Sequence, residues 1–344
     1  MTKVPAPKTL LLAITASGLT PTVALAHHSH ASYDEKTEVT VEGTVTKLDW
    51  QNPHIYLTLE TKGIDGKPAP RTVEAFSVSQ ALAAGTPKDA IAPGAHVVIH
   101  ARPARAGAGE RVLGLDVTTD TGARFLLAAD GRGDARPAAA RASSLEGNWV
   151  PSNDEFRSRL AVNPNGPQLP FTEAGRAARA ARNRDPATNL GVCEPFPPPW
   201  LSSFPDLRTI ELGEKAVVMR FVAQGNHLQR VVHLDRTEHP KDVAPSLMGD
   251  STGRWEGKTL VIDTVGFSPD PTSLGPSSPS KHLIERLTLA DDQRHLAYEF
   301  TLTDPDYLAV PISVPATWDY RPDLKPSDDT VCAPEAARRY EKTE

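Results

Sequence analysis

Short runs in which apolar and polar residues alternate recur from Glu38 to Tyr320, and most are closed by glycine, aspartate or proline. A period of two places every second side chain on one face of a strand, so this pattern predicts an all-β chain. Glu38–Asp49, His54–Glu60, Arg71–Phe76, Ala95–Ala101, Val112–Thr119 and Ala123–Leu127 form a first group of predicted strands. Ser77–Ala84 reads as a short helix between the third and fourth strands. That order suggests a small OB-like barrel. Trp50 reads as a wall residue of it, and His96 and His100 as solvated residues of one strand face.

Residues 129–144 are rich in Ala, Arg, Gly and Asp and lack a run of large apolar residues, so they read as a linker. A second group of strands follows: 208–212, 216–223, 228–235, 253–256, 259–265, 282–289, 295–303 and 312–320. With the opening segment Leu145–Trp149, they predict a larger antiparallel barrel of about eight strands in a meander. Thr172 and Glu173 cap and start a short surface helix that runs to Asn183. Phe196, Trp200 and Phe204 lie in a proline-rich stretch that cannot be helical, and they are expected to cover a barrel end. The expected division is 1–26 leader, 27–128 first barrel, 129–144 linker, 145–335 second barrel and 336–344 tail.

The leader assignment rests on Lys3 and Lys8, the mostly apolar stretch Thr9–Leu19, and Ala24-Leu25-Ala26 as a cleavage site. It implies export to the periplasm or beyond, with no membrane span after processing, since the apolar run is too short for one. The net charge of −6 disfavours a nucleic-acid partner, and export makes a disulfide between Cys193 and Cys332 the expected state. Such a bond would close a loop of more than a hundred residues, worth about 4 kcal/mol on the chain-entropy model.

Cleavage after Ala26 would leave His27 as the first residue, with His28 and His30 just behind it and His54 downstream. A terminal amine and its own imidazole fill two corners of the square of nitrogen ligands that copper(II) favours. His54 and one of His28 or His30 complete a candidate site, with zinc as the second choice. The alternative is a polar terminus whose histidines only scavenge metal.

His27-His28-Ser29-His30, Asp34, Glu42-Gly43-Thr44-Val45 and Trp50-Gln51-Asn52-Pro53-His54 resemble a family of exported bacterial proteins catalogued as a domain of unknown function. His30 stands where that family usually has Phe. Gly147-Asn148-Trp149 resembles the opening of lipocalin-like barrels. The stretches Asp235–Pro240, Gly249–Thr264 and His282–Arg286 resemble a second pattern found in exported bacterial proteins of unassigned function, with Asp250 in place of its usual histidine. None of these resemblances implies an activity.

Within the second barrel, Arg230, His233, Arg254, Arg286 and Tyr298 are the candidates for holding a small, partly apolar ligand. His282 or His239 as base, with Glu285 or Asp263 as acid or orienting group, would suit a lyase, isomerase or hydrolase. Glu285 alternates with leucines and is expected to be a buried acid partnered by Arg230 or Arg254. An interaction module for another envelope component is the third possibility. No phosphate loop, HExxH, Gly-x-Ser-x-Gly or dinucleotide fingerprint occurs.

Overall fold

A computed structural model describes residues 33–52, 54–63, 65–105, 111–128, 140–152, 169–184, 195–202, 207–223, 226–270 and 277–326. The leader, His27, His28, His30, Phe204, Cys193 and Cys332 lie outside them, and with these the disulfide. Among the described residues no helix is long and apolar enough to cross a membrane.

The first barrel contains β1 (Val39–Asp49), β2 (Tyr56–Lys62), β3 (Pro68–Glu74), β4 (His96–Pro103), β5 (Val112–Thr119) and β6 (Arg124–Leu126). The sheet order is β3-β2-β1-β4-β5-β6, and a parallel pairing of β3 with β5 closes five of the strands. With helix α1 (Val78–Ala84) between β3 and β4, this is the expected OB-like arrangement. Ser77 and Gln80 form a reciprocal capping box at the start of α1, and Gly85 ends it in the left-handed conformation.

Strand β1 pairs with β2 on one edge and β4 on the other, and Gly43 takes part in both ladders. A Cβ at Gly43 would fall 2.4 Å from the carbonyl oxygen of Glu60. Backbone cannot yield as a flexible side chain can. Gly43→Ala is therefore expected to destabilise the protein by about 1–3 kcal/mol, read as a lowered urea midpoint. An unchanged midpoint would show that β1 has room to shift.

The second barrel is closed by nine strands rather than about eight. They are β7 (Gly147–Pro151), β8 (Leu207–Leu212), β9 (Ala216–Ala223), β10 (Asn226–His233), β11 (Asp250–Glu256), β12 (Thr259–Val265), β13 (His282–Leu289), β14 (His295–Thr303) and β15 (Ile312–Tyr320). Each strand lies beside its neighbours in sequence, and β15 returns to β7. The barrel is antiparallel, as expected, at every pairing but one. An odd number of strands cannot alternate in direction around a closed ring, so one pair must run parallel. That pair is β10 and β11, and its ladder has only two residue pairs, Val232↔Ser251 and His233↔Thr252.

Alternation sets the two faces of this wall. On β13, Leu283, Glu285 and Leu287 are buried, while His282, Ile284 and Arg286 are only partly so. Trp149, Met219, Phe221, Leu260, Phe300 and Trp318 pack in one core cluster, joined by Phe196 and Trp200 from the proline-rich segment. Helix α2 (Glu173–Arg184) starts at Thr172, whose hydroxyl oxygen accepts the Gly175 N–H at 3.0 Å.

Candidate functional site

Three groups of polar side chains stand out. The first lies on the small barrel, around the Trp-x-Asn-Pro-His motif. Asn52 is fully buried, and its Oδ1 accepts the Val78 N–H at 3.1 Å, which ties the motif to the start of α1. Two residues on, His54 Nδ1 lies 3.1 Å from the Ala75 carbonyl oxygen and 3.6 Å from Glu74 Oε1. A carbonyl only accepts, so Nδ1 carries a proton and Nε2 is the nitrogen not used in this contact. The ring is about one-third exposed. Glu74 is buried, and its other oxygen accepts the Tyr33 hydroxyl at 2.6 Å. Burial, then the charge of Glu74, push the Tyr33 hydroxyl far up, which keeps it a donor. Tyr33 is itself anchored. It bridges to Ala104, its carbonyl accepts Arg105 Nε at 2.9 Å, and Arg111 lies over its ring. The chain just after the histidine run is thus fixed beside His54 through one shared carboxylate.

The second group lies on the outer face of the large barrel. The connection from β10 to β11 carries Arg236 and His239 back against the wall. Arg236 Nη2 donates to Asp250 Oδ2 at 2.5 Å. His239 Nδ1 is 2.7 Å from Asp250 Oδ1, and its Nε2 is 3.2 Å from Asp263 Oδ1. His282 Nε2 meets the same Asp263 oxygen at 2.8 Å. Partial burial alone would raise the Asp250 carboxyl, but His239 and Arg236 outweigh it and hold the group below the usual carboxylate range. Asp250 here accepts two charge-assisted hydrogen bonds, which a histidine in its place would not do as an anion. Among the described residues no hydroxyl or thiol is hydrogen-bonded to either histidine, so the row holds no attached nucleophile.

The third group fills the interior of the large barrel. Arg230 and Glu285 are both fully buried and ion-paired at 2.5 Å. Tyr298 donates to Glu285 Oε1 at 2.8 Å. Arg230 Nε donates to Ser251 Oγ at 2.9 Å, and Nη2 to Thr264 Oγ1 at 2.5 Å. Tyr298 stacks on Trp318 at 4.6 Å, and the buried Arg208 guanidinium lies 4.6 Å from the centre of the Trp318 ring. Lys281 is also buried, with Nζ 4.2 Å from the centre of the Phe267 ring. Burial is the main cause that lowers its amine to about 7.

The structure sorts the candidate residues by face. His239, Asp263 and His282 come together, but Glu285 points to the opposite side of the wall and cannot act with them. Register explains this: Glu285 is three residues from His282, an odd step on one strand. Of the ligand candidates, only Arg230 and Tyr298 face the interior. Arg254 is not the partner of Glu285, because it and Arg286 both bind Glu256 outside. His233 lies 3.5 Å from Asp235, away from that trio. His96 and His100 are both about half exposed, as expected, although His100 also meets the buried Asp116 at 2.9 Å. Trp50 is buried in the small core. Arg208 was legible but missed, since it alternates with Ile210 and Leu212. Lys281 carries no such signal. Among the described residues no cluster of His, Cys, Asp or Glu has metal-holding geometry. Only His54 of the four proposed metal ligands is described.

These features define an all-β protein of two barrels with separate polar centres. Residues 16–113 match the model of a family described as a family of unknown function (DUF6152), a segment that takes in β1 to β4 and His54. No curated protein matches the chain.

Proposed function

We propose that this is an exported metal-binding protein that holds copper, or else zinc, between its processed N-terminus and His54. The observation that carries this reading is the state of the His54 ring. Its Nδ1–H is held by the Ala75 carbonyl, so the ring is oriented and Nε2 is the nitrogen left for a metal. Metal-ligating histidines almost always show this arrangement, with the second nitrogen tied to a carbonyl or carboxylate.

Reach supports it as well. His30 is three residues before Tyr33 and His27 six. At about 3.3–3.6 Å per extended residue, either falls within roughly 10–22 Å of the Tyr33 anchor, close enough for the chain to fold back on His54. His27 would offer its amine and ring, and His54 Nε2 a third nitrogen. His28 or His30 supplies a fourth. The ion would add a Lewis-acidic charge at the barrel surface.

The test uses protein exported and processed by its own leader. Copper is titrated against a competing chelator. His54→Ala should weaken copper at least 10-fold, and one extra residue before His27 should do the same and alter the visible spectrum. Full retention of affinity in both variants would refute the site. So would intact-mass data that place the mature start away from His27.

A further inference from the structure

The short parallel ladder has a consequence for access to the large barrel. Past Val232, toward Asn226, β10 has no paired strand on its β11 side among the described residues. Residues of this edge and of the segment 246–251 line a cleft of about 470 Å³. This volume lies within the range of small-molecule sites and exceeds the roughly 30 Å³ share of one water many times over.

The lining includes Leu228, Leu247 and Met248, and, beside His227, Gln229 and His233, the polar residues Arg230, Asp250 and Ser251. Of these polar residues, Asp250 is engaged by Arg236 and His239, and Ser251 by Arg230 and Thr264. Arg230 is 1% exposed, yet its Nη1 has no hydrogen-bond partner among the described residues. Its Nε and Nη2 are spent on Ser251, Thr264 and Glu285. A guanidinium nitrogen only donates, and a buried donor without an acceptor costs about 1–3 kcal/mol. What is missing here is an acceptor, and a carboxylate suits an arginine best. The apolar side chains at the cleft suit a short hydrocarbon body.

We propose that this cleft binds a small monocarboxylate with a short apolar chain, its carboxylate on Arg230 Nη1 and its chain along Leu228, Leu247 and Met248. The site is independent of the metal site on the small barrel.

Sodium hexanoate is the probe, with 1-hexanol and inorganic phosphate as controls, added to the processed full-length protein. Calorimetry should show saturable binding of hexanoate, with a raised Tm, and at least 10-fold weaker binding of both controls. In NMR spectra of the wild-type protein, hexanoate should shift the backbone amides of Leu228–Arg230 and Met248–Ser251. Leu247→Trp, which narrows the cleft from a partly buried loop position, should cut hexanoate affinity at least 10-fold. Absence of saturation, equal binding of either control, shifts confined to other residues, or full affinity in a folded Leu247→Trp protein would each overturn the proposal. The NMR result stands without the variant if that protein does not fold.

Discussion

Glu285→Ala is expected to destabilise the protein by about 3–5 kcal/mol, the usual penalty for breaking a buried ion pair from one side. The carboxylate lost is the counter-charge of Arg230, which is 1% exposed, and the acceptor of the Tyr298 hydroxyl. Ser251 and Thr264 would still accept from Arg230, but neither carries charge. Chemical unfolding at pH 7 measures the loss. A double variant, Arg230→Met with Glu285→Leu, should recover most of it, because an apolar pair of similar volume needs no counter-charge. Should the single variant lose less than about 1 kcal/mol, water must already reach the pair and the interior is wetter than described.

Lys281→Met should have the opposite sign. Burial lowers the Lys281 amine from 10.5 to about 7 in the folded protein. Between pH 7 and 10.5 the unfolded chain therefore binds the proton that the folded chain has released. Stability rises with pH across that window, and below it the full cost of a buried charge is present. Methionine keeps a flexible apolar chain beside Phe267 and removes the charge that lies over its ring. The variant should gain on the order of 4 kcal/mol near pH 6. It should also lose its share of the upward slope in unfolding free energy between pH 7 and 9.5. A slope equal to that of the wild type would mean that Asp304 and Glu285 hold the ammonium charged throughout.

Much of the large barrel could be read from alternation alone. The strands 259–265, 282–289, 295–303 and 312–320 have the same bounds in sequence and structure. The reason is physical: one buried face imposes a period of two, and turns at Gly257 and at Asp291-Asp292 separate one run from the next. The same period placed Glu285 inside and offered Arg230 as its partner. It could not choose between Arg230 and Arg254, because facing is a local property while partnership depends on how the ring closes. The parallel seam escaped for that reason. It follows from the total number of strands, which no single run reveals. Lys281 escaped for another, since it precedes β13 in a Ser- and Pro-rich stretch without periodicity. On the small barrel, the motif around His54 was legible as a pattern. The tether from Tyr33 through Glu74 was not, because it joins residues 41 positions apart.

A cylinder whose ladders shrink to three rungs on either side of β7, and to two at one joint, does not breathe evenly. Thermal opening should begin at that joint and spread slowly, since every other neighbour is held by more rungs. The molecule can thus let its wall part locally while the ring as a whole stays shut. Its least secure joint stands next to its most highly charged interior, where Arg230 and Glu285 meet.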